Sequence, residues 1–469
     1  ILIMSRTRIV GGKITEIVGG EYNIYSEGPI TLTSLEGSVN ITAKKDIKYG
    51  EPESPPIGPN PEIKPKCLVY FRPHDNYDGE FGFDWLRTGD TKKKGDTWFG
   101  NIMGKYYESD NVTVFKDTNH WNVNFKKDLR MYDRLLRDYT LFNIPWKQKK
   151  GKNAFIYPIP IITLLEGKTA TFNLKIEIEE LPKKLTLEFK EKEATKYLSL
   201  NVQQISGLSK GKQTKSNFLK ITCNKAFDTT QTLYVKADGE ICGALKIHPN
   251  TPKFQKKINI VFVKVKTDIN GFEVRGKMTN GGDVFFKKCL NQALVIPNLV
   301  IETQDLDCTG NLLWNTFKNK FCPQTITDKK GVTKNVLSSD AGLRNYLEDQ
   351  LKDQFGDKYK GYYTVFFIGE KFYSFKNGVH TGYLNGFSYF NTTFGVYFNG
   401  HNEGTLAHEL MHAMQLPHTF DGLSAAAKFT YMAGQTDNIM DYSHQPQFGN
   451  IRRKIIYHWQ WKLLNSKIL

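Results

Sequence analysis

Apolar and polar positions alternate with a period of two through most of this chain, and give way to helical spacing only in a few windows. Residues 21–46 carry three short alternating runs, EYNIYSEG, PITLTSLEG and SVNITAKKD, each closed by a Glu-Gly or charged turn. Repeats this short cannot bury a face alone, so residues 1–50 are expected to form a β-helix or β-prism completed by other chains, or an ordinary pair of hairpins. Six prolines between Pro52 and Pro65 then predict an extended, semi-rigid linker over 51–66. Residues 67–152 read as a β-rich module with one helical stretch, KDLRMYDRLLRDYTLF from Lys127. Its His74 and Asp84 lack ligand-like spacing and are read as surface or hydrogen-bonding groups.

Alternation is strongest over 153–251, in TATFNLKIEIEE, LTLEFK, LKITCNK, QTLYVKADGE and CGALKIHP. Strands at such spacing predict a β-sandwich of immunoglobulin type, although the Cys…Trp…Cys spacing of a true immunoglobulin domain is missing. From 252 onward strands alternate with helices: INIVFVKV, then DVFFKKCLNQAL, NLVIETQ, AGLRNYLEDQLKDQFG, YTVFFIG and GVYFNG. The fold class is therefore multidomain, with N-terminal β-repeat and β-sandwich modules followed by an α/β (α+β) domain over 252–469.

Composition narrows the classes. At 469 residues, with 39% hydrophobic and 13% aromatic residues, the chain can bury several cores and is not disordered. No run approaches the roughly 18–20 apolar residues that span a bilayer, so no membrane insertion is expected. The net charge of +16 is scattered over strand faces and loops, with no nucleic-acid signature beside it, and no nucleic-acid partner is expected. None of the six cysteines forms a C-x-x-C pair; the even count permits disulfides, Cys223 and Cys242 could face each other on neighbouring strands, and about 15 pairings stay open. No cysteine sits where it would block a metal. The opening ILIMSR has neither a long apolar run nor a small-residue cleavage site, so secretion or delivery by a signal-peptide-independent route is expected.

Seven of the ten histidines lie at or after His380, and residues 408–412 read HELMH. On a helix His408 and His412 share one face, where both imidazoles can bind one Zn²⁺ at about 2.0–2.1 Å. Glu409 is offset by one residue and can reach a water molecule at the metal as general base. His418 lies six residues beyond His412; a continuous helix would carry it about 9 Å along the axis. The helix must break, and Pro417 pushes Leu416 out of the α region. Three histidines plus water complete a catalytic zinc site, with Asp421, Asp437 and His444 as substitutes for His418. His458 is assigned to an amphipathic helix starting at Arg452 and packing on the zinc-binding helix, and the aromatics of 387–398 to a core and an edge strand able to pair with a peptide.

The stretch TLAHELMHAMQLPHTFDG followed by NIMDYS resembles the metzincin zinc metallopeptidases, closest to the pappalysin (cytophagalysin) family. The family pattern has a glycine where this chain has Gln415, at a turn that favours left-handed backbone. The resemblance implies a hydrolase cutting protein or peptide substrates, with Met440 as an apolar base under the site. It also implies that Tyr442 is either a fifth ligand or an oxyanion stabiliser. Residues 1–50 resemble the β-repeats of type VI secretion spikes. That resemblance implies a toxin or effector delivered by a contractile system, its spike or tube components as partners. The other class kept open is a structural spike or adhesin-like binding protein with a non-catalytic metal site.

Overall fold

Strand Cys67–Pro73 turns Cys67, Val69 and Phe71 to one face and Tyr70 and Arg72 to the other, as period-two alternation requires. The computed structural model describes residues 61–114, 124–147, 155–310, 315–422 and 427–467; the β-repeat expected over 1–50 and linker residues 51–60 lie outside the described residues. Cys67–Pro73 pairs antiparallel with Thr169–Ile178 along its whole length, Cys67 opposite Ile178 and Pro73 opposite Phe172. Gly211–Cys223 and Leu198–Leu200 complete this four-stranded sheet. A second sheet runs in the order Gly82–Asp84, Ile161–Thr163, Glu240–Ile247, Gln231–Ala237, Leu185–Phe189. Phe71, Phe172, Leu174 and Ile221 from the first sheet share one core with Leu187, Leu233 and Leu245 from the second, which makes a β-sandwich.

The boundary expected between 152 and 153 is not present in the packing. Each sheet takes strands from both sides of it, through the pairing of 67–73 with 169–178 and of 82–84 with 161–163. Alternation specifies which face a residue occupies but not which strand its own strand pairs with, so partners about a hundred residues apart cannot be read from it. The end of the proline-rich stretch is likewise held: Ile63 is buried, its N–H donates to the Asn143 carbonyl at 2.8 Å, and the Asn143 N–H donates to the Pro61 carbonyl at 2.8 Å. The helix predicted from Lys127 spans Leu129–Leu136, capped by Asp128, whose side chain accepts from the Arg130 N–H. Cys223 and Cys242 sit on different sheets; the Cys242 thiol meets that of Cys67, and all six thiols are free and buried.

A third, mostly parallel sheet follows. Lys256–Thr267 lies between Val295–Ile301 and Tyr363–Ile368, both parallel to it, and Phe394–Tyr397 continues the parallel order. Gly386–Phe387 closes the edge antiparallel to Phe394–Tyr397. Both faces are apolar. Ile258, Ile260 and Phe262 pack with helices Gly282–Asn291 and Glu403–Ala413, whereas Val261, Val263 and Val265 pack with helix Leu343–Phe355. A sheet covered on both sides needs the near-continuous apolar strands seen here.

The step at 251/252 is a change of architecture without a gap in the packing. Phe429, Tyr431, Ile455 and Tyr457 belong to the sandwich core, Ile161 of the sandwich packs into the core of the parallel sheet, and Pro61–Leu469 form one compact unit. The helix expected from Arg452 begins only at His458. Residues 451–457 are extended because their backbone is already committed: the Asp437 carbonyl accepts from Lys454 N–H (2.9 Å) and Ile455 N–H (3.2 Å), and the Ile455 carbonyl accepts from Ile439 N–H (2.7 Å). No described helix is long and apolar enough to cross a membrane.

Candidate metal centre

Helix Glu403–Ala413 starts where Asn402 accepts from the Thr405 N–H at 2.8 Å, with Glu403 in the first turn opposite the positive end of the helix dipole. It packs its Leu406, Leu410 and Met411 into the core beneath the parallel sheet, which fixes its rotation and leaves His408 and His412 on a shared face. The break comes before Pro417. Gln415 adopts φ 69°, its N–H donates to the His412 carbonyl at 2.9 Å, and the Leu416 N–H donates to the Met411 carbonyl at 2.9 Å. This left-handed residue ends the helix as a glycine would, and the chain turns His418 back toward the other two imidazoles.

The three Nε2 atoms converge: His408 to His412 is 3.1 Å, His408 to His418 3.2 Å, and His412 to His418 3.0 Å. Nearby carbonyls select the tautomers, at His408 over Arg453 Nη1, which lies 3.2 Å from the same nitrogen. His408 Nδ1–H donates to the Ile439 carbonyl at 2.8 Å and His412 Nδ1–H to the Leu416 carbonyl at 2.7 Å, so their Nε2 atoms carry lone pairs. Lone pairs cannot hydrogen-bond one another, and their meeting asks for a cation. Metal–nitrogen bonds of about 2.0–2.1 Å at tetrahedral angles hold nitrogens about 3.3–3.4 Å apart, close to the observed spacing. Burial lowers all three imidazole pKa values, His412 to about 4 against the opposing Leu416 hydrogen bond and Asp421 charge, while His412 and Arg453 add to the fall at His408 and His418, so the three stay neutral. Among the described residues this is the one group of three or more ligating side chains so placed, and it could hold a metal ion.

Around it, His418 is sandwiched: Phe420 stacks on it with ring centroids 4.6 Å apart, and Tyr442 meets it edge-on at 4.9 Å. Met440 is fully buried in the core cluster that holds Leu410, Met411 and Met414, and its carbonyl accepts from the Thr419 N–H at 3.1 Å. Its turn is held by Asn438, whose side chain accepts from the Met440 N–H at 2.9 Å. Asp441 adds to it by accepting from Gly434 N–H, Thr436 N–H and the Thr436 hydroxyl at 2.6–2.9 Å. The Glu409 carboxylate accepts from the Ser388 N–H, and burial raises its pKa to about 8. Burial also pushes the Tyr442 hydroxyl up to about 12, with the nearby Glu409 adding to the rise.

The substitute ligands stay out. Asp437 is buried against Arg87, 3.5 Å away, and neither it, Asp421 nor His444 joins the group of three. His458 is near His248, with ring centroids 6.4 Å apart, and takes no part. Sequence reasoning missed Arg453. Its buried guanidinium donates to the Asp441 carbonyl (3.0 Å) and the Ile439 carbonyl (3.3 Å), the latter also the acceptor for His408. The run IRRKIIYHW sets three charges, Arg452, Arg453 and Lys454, among apolar residues, and nothing in its spacing singles out Arg453.

No family model and no curated protein matches the chain. A comparison with solved structures returns a chain from "The details of glycolipid glycan hydrolysis by the structural analysis of a family 123 glycoside hydrolase from Clostridium perfringens". It is 8% identical, with a TM-score of 0.12, over 48% of this chain and 47% of that one. The match spans about half of either chain, and a TM-score that low carries no inference about fold or function.

Proposed function

We propose that the chain is a zinc-dependent endopeptidase and that residues 252–469 form a metzincin-like catalytic domain. The observation that carries this reading is the convergence of three neutral Nε2 atoms beside Glu409, a carboxylate one residue along the same helix. Zinc held by His408, His412 and His418 would supply Lewis-acid polarisation of water and of a peptide carbonyl. The protein's own residues do the rest. In its ionised form Glu409 takes a proton from the attacking water and returns it to the leaving amine, while Ser388 N–H keeps it in place; burial raises its pKa to about 8, and a zinc ion at the histidines would favour the ionised form. Tyr442 retains its proton at neutral pH and so presents a donor for developing negative charge. The antiparallel edge strand Gly386–Phe387 runs into Ser388 and so links the sheet edge to Glu409. Delivery as a toxin by a contractile secretion system is part of the proposal that rests on residues 1–50 alone.

Elemental analysis of the purified chain, with activity on an unfolded protein followed in parallel, tests the reading. About one zinc per chain is expected, less in His418→Ala, and undiminished in Glu409→Gln with peptidase activity about 10³-fold lower. A Glu409→Gln chain with full activity would sink the mechanism, and absence of zinc after reloading would sink the metal assignment.

A further inference from the structure

The outer face of the four-stranded sheet carries a cavity of about 670 Å³, within the range of small-ligand sites. None of its lining residues belongs to the metal centre. Its floor is a row across three strands, Tyr70 opposite Lys175 and Lys175 opposite Thr214, with Glu177 opposite Lys212 one step along. Its walls come from the segment after Asp84, including Trp85 and Trp98. That segment leaves the second sheet and crosses over the outside of the first. An otherwise solvent-facing strand surface thereby becomes a half-open cleft.

The polar groups alternate in sign. Arg72 Nε donates to Asp90 Oδ1 at 2.8 Å, Lys175 Nζ lies 3.4 Å from Asp90 Oδ2, and Lys147 Nζ donates to Glu177 Oε2 at 2.6 Å. A free anion would meet Asp90 and Glu177, and a free cation would meet Arg72, Lys147 and Lys175. A hydroxyl is different: it donates and accepts at once, and a carboxylate beside a cation satisfies it on both counts. Adjacent hydroxyls on a ring match adjacent pairs on this floor. The apolar C–H face of such a ring matches an indole, and Trp98 is 41% exposed at the cavity wall. Tyr70 lines the cavity with its ring stacked on Tyr157, centroids 5.1 Å apart, and the Arg72 guanidinium 5.3 Å from its centroid, which leaves the Trp98 indole as the stacking surface.

We propose that this cavity binds a neutral saccharide, recognised by ion-paired side chains at its hydroxyls and by the Trp98 indole at its C–H face. The site is independent of the metal centre and would hold the chain on glycan-bearing material while the other site acts. Isothermal titration of the full chain with maltotriose, cellotriose, chitotriose and mannotriose tests it, with 3′-sialyllactose as the anionic probe. At least one neutral trisaccharide is expected to bind one to one. Trp98→Ala and Asp90→Asn should each weaken it about tenfold or more. Thr214→Trp, which fills the cavity from an exposed strand position, should abolish it without changing the melting temperature. No heat with any neutral probe, binding indifferent to all three substitutions, or binding of 3′-sialyllactose alone would overturn the proposal.

Discussion

Gln415 shows how much one residue's backbone decides. It holds φ 69°, a region that costs a residue with a Cβ roughly 1 kcal/mol, and everything that returns His418 to the other histidines follows from that angle. Gln415→Gly is therefore expected to stabilise the chain by about 0.5–1 kcal/mol while zinc content stays the same, a shift that thermal melting beside elemental analysis would detect. Loss of zinc in that variant would mean that the Gln side chain itself holds the turn. The ligands were legible because their spacing is local: HELMH falls within one helix and His418 follows within a single turn. Arg453 and the Ser388 N–H were not. They reach the site from far along the chain, and no local pattern connects them to it.

At the scale of elements, alternation gave the faces of the longer strands, and helical spacing gave helices Gly282–Asn291, Leu343–Phe355 and Glu403–Ala413 but not the short Thr316–Phe321, whose Phe317 and Phe321 also pack against the parallel sheet. What it could not give was pairing between 67–73 and 169–178, or the extended course of 451–457, whose hydrogen-bond partners are residues 437 and 439. The turn carrying Met440 is also braced from the sandwich side. Arg87, fully buried, pairs with Asp437 just before that turn, 350 residues away in sequence. Removing one member of such a pair leaves the other charge buried and unpaired, which typically costs about 3–5 kcal/mol. Asp437→Ala is expected to lower stability by that order, seen as a drop in the denaturant midpoint. Replacing both residues with apolar ones should cost less than either single change.

Across the whole molecule, the sandwich and the parallel sheet hold each other up. A fragment of residues 252–469 would expose Tyr431, Ile455 and Tyr457, which belong to the sandwich core, so it is expected to be insoluble or unfolded by circular dichroism where the 61–469 chain is folded. Asp84 gives this contact a pH signature. It lies fully buried between the Tyr139 hydroxyl and the His458 N–H, which donate to its Oδ2 at 2.8 and 3.0 Å, and burial raises its pKa to about 6. A carboxyl raised above its unfolded value favours the protonated fold. Its contribution is thus present below about pH 4 and lost as pH rises toward 6 and above, by up to about 3 kcal/mol. Asp84→Asn should remove that slope in stability curves measured from pH 4 to 7. The dependence of the site on residues 451–457 also sets a timetable. Synthesis runs from residue 408 to 453 before Arg453 can take the Ile439 and Asp441 carbonyls, and to 455 before Ile439 N–H finds its acceptor. The nascent polypeptide on the ribosome therefore lacks these three hydrogen bonds, and the turn at 438–441 lacks their bracing, until translation has passed residue 455.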